Sequence, residues 1–173
     1  MNKILKHKLF FGALFFIVLT YTSCDEVEDI NIEGTSVESM SGDWWIVALQ
    51  SDGTTPAYNG DYVRFTTYNT AANDGTMWID DNGNFFEIKT KVNTDVNKLS
   101  FSGNKDADEV LTNSKITISN GKIVKNAYTT KSNTEVDEIS FEVEISWDPG
   151  KVYKFKGHKR TGFTEDENPH FSN

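Results

Sequence analysis

The chain is poor in several things. It has one cysteine in 173 residues, which excludes an internal disulfide framework and a cysteine-built metal cage. It has three histidines and three prolines. Basic residues number 17 against 26 acidic ones, for a net charge of −9. That deficit excludes a nucleic-acid partner, which needs a basic face to neutralise phosphates. No apolar run reaches the roughly 20 residues of a membrane-spanning helix. Helical periodicity is nearly missing too. The best candidate, residues 105–111, gives one or two turns at most.

What is present begins with a leader. Lys3, Lys6 and Lys8 precede an apolar run over residues 9–21, which is 13 residues and fits the h-region of a signal peptide. Thr22 and Ser23 then lead into Cys24. Small residues before a cysteine at that place resemble the lipobox of bacterial lipoproteins, although Tyr21 stands where that pattern has Leu. The resemblance implies cleavage before Cys24 and lipidation of its thiol, which would make the membrane a partner. An ordinary cleaved signal with an incidental cysteine is the alternative. Cleavage there leaves 150 residues and, because three lysines leave, a net charge of −12.

Residues 24–41 carry six acids, no base and no aromatic, and they read as a solvated tether. An acidic stretch after the cysteine is similar to the surface-export signal of Bacteroidota lipoproteins. A plain soluble spacer explains it equally well. The expected organisation is a signal peptide over 1–23, the tether over 24–41, a β domain over 42–163 and a polar tail over 164–173. The expected location is the cell envelope, lipid-anchored at the outer membrane and open to surface exposure.

Strand patterns fill the body. Residues 44–49, 61–69, 76–80, 85–92, 99–102, 115–119, 122–129, 138–147 and 151–160 alternate or run apolar, with turn residues between them. Asp81-Asn82-Gly83-Asn84 reads as a turn, Asn120-Gly121 as a two-residue hairpin, and Asp148-Pro149-Gly150 as the last reversal. In 138–147, Ile139, Phe141, Val143, Ile145 and Trp147 share one face. The fold class is all-β, an antiparallel up-and-down barrel of eight or nine strands. Such a barrel is filled by side chains or holds one small ligand.

Gly42-Asp43-Trp44 at the first strand resembles the lipocalin signature, in which the Trp packs beneath an Arg of the last strand. Arg160 occupies that place, so Trp44 and Arg160 are expected to stack. A longer pattern covers residues 41–169. It comprises Thr67 to Asp74, Trp78-Ile79-Asp80-Asp81, Phe85-Phe86-Glu87-Ile88-Lys89, and Gly157-His158-Lys159-Arg160-Thr161-Gly162-Phe163. It resembles the Bacteroidota lipoproteins called lipid-binding putative hydrolases. The resemblance implies a lipocalin-like, calycin-type barrel and a lipid or apolar small-molecule ligand. Hydrolysis is implied by the family's label alone, with no catalytic set to carry over.

The residues themselves do not supply hydrolytic chemistry. There is no Gly-x-Ser-x-Gly elbow. Strand parity turns His158 towards water, away from Tyr153 and Phe155, and His170 sits in the polar tail. Asp80 and Asp81 are adjacent and point to opposite faces, so they cannot act as one pair, while Glu142 and Glu144 lie on the solvent face. An EF-hand is excluded, since its sixth and twelfth positions here are Phe85 and Lys91. No cofactor and no metal are expected.

For ligand binding, Tyr62, Arg64, Thr66 and Tyr68 share one strand face, which suits either a pocket or the barrel exterior. Val63, Phe65 and Thr67 share the other face, which suits core. Trp78, Phe86, Phe101, Phe141, Trp147 and Phe155 read first as core. The candidate ligand contacts are Tyr62, Arg64, Tyr68, Asn69, Trp78 and Phe86. Three functions stay open: an anchored lipid-binding barrel, a lipid or glycan hydrolase, and a non-catalytic accessory subunit of a surface complex.

Overall fold

The computed structural model describes residues 34–170. The leader, Cys24 and the first part of the acidic stretch lie outside the described residues. Nine strands follow one another: β1 (Gly42–Leu49), β2 (Val63–Asn69), β3 (Thr76–Asp80), β4 (Lys89–Asp95), β5 (Ser100–Ser102), β6 (Ala107–Asp108), β7 (Lys115–Thr129), β8 (Glu135–Ile145) and β9 (Tyr153–Lys159). Every pairing is antiparallel, in the order β5-β4-β3-β2-β1-β9-β8-β7, and β5 pairs again with β7 to close the ring. The result is an eight-stranded barrel of lipocalin-like form, with the short β6 added to the edge of β7. Closure leaves no long edge to template aggregation.

Two sequence expectations fail here for physical reasons. Asn120-Gly121 does not make a hairpin. Residues on both sides of it pair with the single strand β8, Ile116 to Ser119 with Ile145 to Glu142, and Lys122 to Val124 with Ser140 to Glu138. The dipeptide is a bulge inside a 15-residue strand, with Asn120 at φ 52°. The long ladder outweighs the local turn preference. Residues 105–111 form no helix. They hold β6 and a turn bound to Glu109, whose carboxylate accepts from the N–H groups of Leu111 and Thr112.

Alternation fills the interior. Trp44, Ile46, Phe65, Met77, Ile79, Val92, Ile118, Ile123, Ile139, Phe141, Val143 and Phe155 are all buried in one cluster. Aromatic rings run through its centre. Phe155 lies 5.1 Å from both Phe86 and Phe141 and 5.8 Å from Phe65, and Phe141 lies 5.8 Å from Phe101. Burying each such ring contributes about 1.5–3 kcal/mol. Four depressions open at one barrel end or on the outer faces of the described body.

The end where β1 begins is closed. Val37 and Met40 are fully buried there, Met40 in a short 3-10 turn over Glu38–Met40. The folded body therefore starts ahead of residue 42, inside the stretch expected to be tether, because these two apolar side chains cap the core. Trp44 Nε1 donates to Thr67 Oγ1 at 2.8 Å, and that hydroxyl donates to the Met40 carbonyl at 2.7 Å. The cation over Trp44 is Lys159, 5.9 Å from the ring, while Arg160 Nε pairs with Glu167 at 2.8 Å. The expected Trp44–Arg160 stack is thus replaced by the neighbouring lysine.

Candidate functional site

The other barrel end, where β1, β3 and β8 finish, is lined by the loops 50–62, 81–88, 103–114 and 146–152. The second of these is built around Asp81. Its buried carboxylate accepts from the N–H groups of Gly83 at 2.9 Å, Phe85 at 3.2 Å and Phe86 at 2.9 Å. Burial pushes the Asp81 carboxyl above its ordinary value, against those hydrogen bonds. Asn82 at φ 57° and Gly83 at φ 68° make the reversal that the Asn-Gly signal anticipates. The loop's base is tied by Asp81 N–H to the Ile88 carbonyl at 2.9 Å.

This frame presents two adjacent phenylalanines that strand alternation would separate. Phe86 turns inward onto Phe155 and Tyr153, 5.1 and 5.0 Å away. Phe85 stays half-buried and meets Tyr58 edge-on at 4.6 Å. Trp147 stacks on Phe86 at 5.5 Å and 28°. Tyr58 is 52% exposed and Trp147 47%. A continuous ring ladder therefore runs from solvent to the barrel centre, with Phe86 as its plug. Beside it, Gly83, Asn84, Phe85, Phe86, Thr112 and Trp147 border an open depression of about 440 Å³. Thr112 belongs to the loop fixed by Glu109, in which Val110 and Leu111 are exposed and Val110 N–H donates to the Lys89 carbonyl.

The six candidate contacts do not form one site. Phe86 is at the mouth. Tyr68 and Trp78 meet on the outer face of β2 and β3, where Tyr68 Oη donates to Asp80 at 2.9 Å, Lys89 pairs with Asp80 at 2.7 Å, and Lys91 lies 4.9 Å over the Trp78 ring. Trp78 is therefore outside the core, against its first reading. Arg64 is exterior and pairs with Asp43 at 2.9 Å. Asn69 is at the closed end, accepting from Ser36 Oγ at 3.3 Å. Tyr62 lies on the barrel flank, 5.8 Å from the His158 ring.

Trp147 is the second correction. β8 ends at Ile145, so the alternation that would bury residue 147 stops short of it. Tyr58, Phe85 and Trp147 escape a reading based on alternation, since all three sit in loops. The usable signal is the pair Phe85-Phe86 beside a turn, because one of two consecutive rings must leave the core.

His158 is the third. It sits on the outer face as parity requires, but it is only 3% exposed. The Tyr128 ring lies parallel to it at 4.1 Å, and Pro169 of the C-terminal segment lies over the same place. Burial lowers its pKa below the ordinary 6.5. Among the described residues no hydroxyl or thiol is hydrogen-bonded to it. Ser132 Oγ donates instead to Asp166 at 2.7 Å. The described residues hold no cluster of His, Cys, Asp or Glu suited to a metal ion.

A family model described as lipid-binding putative hydrolase matches residues 29–164, which is most of the chain. No curated protein matches the chain.

Proposed function

We propose that this chain, which belongs to the lipid-binding putative hydrolase family, binds the apolar end of a lipid or other amphipathic small molecule at its aromatic mouth. The observation that carries this reading is the ring ladder: Tyr58, Phe85 and Trp147 in contact with solvent, joined through Phe86 to the buried column. Tyr and Trp offer apolar area with a polar handle, which suits a ligand that is apolar at one end and wet at the other. The filled interior fits a ligand seated at the mouth rather than enclosed.

The anchored part of the reading rests on the leader. Cys24, lipidated, would hold the protein at the cell envelope, at the outer membrane and with its body surface-exposed. The chain enters the body at the closed end, where Ser36 N–H donates to Asn73 at 2.7 Å.

Displacement of a fluorescent fatty acid is the test. Trp147→Ala should weaken binding about tenfold, the scale of one lost aromatic contact of about 1.4 kcal/mol. Trp78→Ala, on the outer face, should leave it unchanged. No binding by the native protein, or equal binding by both variants, would refute the reading. A second reading, a non-catalytic accessory subunit, is favoured by the filled barrel. In it the mouth seats a protein, and fatty-acid displacement fails outright.

A further inference from the structure

The depression of about 440 Å³ beside the ring ladder is lined by three rings, Phe85, Phe86 and Trp147, by the Glu87 carboxylate, and by no lysine, arginine or histidine. Two of these groups lack a partner that their kind finds elsewhere in the molecule. Trp147 stacks on Phe86, 5.5 Å away, and is still 47% exposed. Lys159 lies 5.9 Å over Trp44 and Lys91 lies 4.9 Å over Trp78, but among the described residues no cation lies over Trp147. Asp80 is paired with Lys89, Asp137 with Lys125 and Asp148 with Lys151. Glu87 is exposed, and among the described residues its carboxylate has no ion pair and no hydrogen bond. Its backbone is fixed at φ 54° between the buried Phe86 and Ile88, in the left-handed region that few residues other than glycine adopt. An open aromatic face and an unpaired carboxylate in one depression call for the same partner, a cation.

The surroundings carry the same sign. The four mouth loops hold eight acids and two lysines. Both lysines, Lys105 and Lys151, line a different groove. Thr112, which lines the depression, donates its hydroxyl and its N–H to the Glu109 carboxylate, each at 2.6 Å. Burial works to raise the Glu109 carboxyl, yet hydrogen bonds from Thr112, Leu111 and Lys89 outweigh it and hold the group below its ordinary value. Glu109 is therefore a fixed anion in contact with the lining. A concave site lined by one sign of charge concentrates the opposite ion. A phosphate or carboxylate headgroup would meet no base in this lining.

We propose that the mouth selects a cationic amphiphile, whose ammonium headgroup sits between the open face of Trp147 and the Glu87 carboxylate while its alkyl chain lies on the rings. The inference rests on the lipid-binding reading of the same mouth and names the headgroup that the mouth prefers. An ammonium can lie over an indole and pair with a carboxylate at the same time. An alkylated ammonium suits the rings best, because its charge is carried under an apolar methyl surface. Anionic amphiphiles still bind through their chains, more weakly.

Isothermal titration of the full chain with three ten-carbon ligands, each below its micelle concentration, separates headgroup from chain. The ligands are decyltrimethylammonium, decyl maltoside and decanoate. The cation should bind about tenfold more tightly than the maltoside, and decanoate should bind least. Glu87→Gln, which removes the charge at an exposed position, should erase most of the cation's advantage over the maltoside. Trp147→Leu, which keeps an apolar side chain but removes the ring, should do the same. Glu135→Gln removes the same charge from the exposed start of β8, at the closed end, and should keep the advantage. That control separates the site from a general attraction of cations to an acidic protein. Equal binding of all three ligands, weakened throughout by Trp147→Ala, overturns the headgroup proposal and leaves the lipid-binding reading standing. Binding of none of the three overturns both. An advantage that survives Glu87→Gln, or that Glu135→Gln removes as well, overturns the headgroup proposal too.

Discussion

At the scale of single residues, charge and burial decide which contacts matter. Trp44 is locked by its hydrogen bond to Thr67 and by a full shell of core side chains, so Trp44→Ala should cost about 3–5 kcal/mol. Arg160 pairs with Glu167 where both side chains are partly wet, and Arg160→Ala should cost at most about 1 kcal/mol. Chemical denaturation of the two variants checks the contrast, and a large loss for Arg160→Ala would restore the stack expected from the sequence. His158 gives a pH dependence. Its folded pKa lies below the ordinary 6.5, because burial disfavours the cation. The unfolded chain therefore takes up the proton first. Stability should be full above about pH 6.5 and should fall as pH drops through the window beneath it. The neighbouring Asp166 is held down to about 2 by Ser132 and Thr161 against the effect of its burial, so it does not titrate in that window. Denaturation midpoints across pH 5 to 7 should slope less in His158→Phe, and an unchanged slope would assign the dependence elsewhere. Which face His158 takes could be read from parity. Its burial could not, since the cover comes from Tyr128 and Pro169, distant in sequence.

At the scale of elements, local signals hold where nothing long-range competes with them. The Asn82-Gly83 reversal forms as read because loop 81–88 is closed by its own Asp81. Asn120-Gly121, an equally strong turn signal, is overridden by the ladder between β7 and β8. Gly121 is required there for a reason the sequence does not carry, since a Cβ would come within 2.3 Å of the Phe101 ring. The plug loop gives the clearest prediction at this scale. Asp81→Ala would strip the partner from three N–H groups in a buried loop. It should cost about 2–4 kcal/mol and speed hydrogen exchange at Phe85 and Phe86, while amides of β8 keep their protection. Uniform loss of protection, or none, would mean that the loop is not held as a unit.

At the scale of the molecule, the barrel was legible because alternation in β8 and β9 and the even spacing of turns survive in the sequence. The site was not, because the mouth is made by loops and by one strand end, where periodicity is silent. Residues 62, 64 and 68 do share a face, as parity says, but it is the exterior. The account depends on a barrel filled by aromatic rings that meets its ligand at the Phe86 plug. The most direct measurement is an NMR titration of the aromatic-labelled protein with a long-chain fatty acid. Signals of Tyr58, Phe85, Phe86 and Trp147 should shift, while Phe65, Phe101 and Phe141 stay in place. Large shifts at Phe65 and Phe141 with Trp147 unmoved would contradict it, and would mean that the ligand enters the barrel itself.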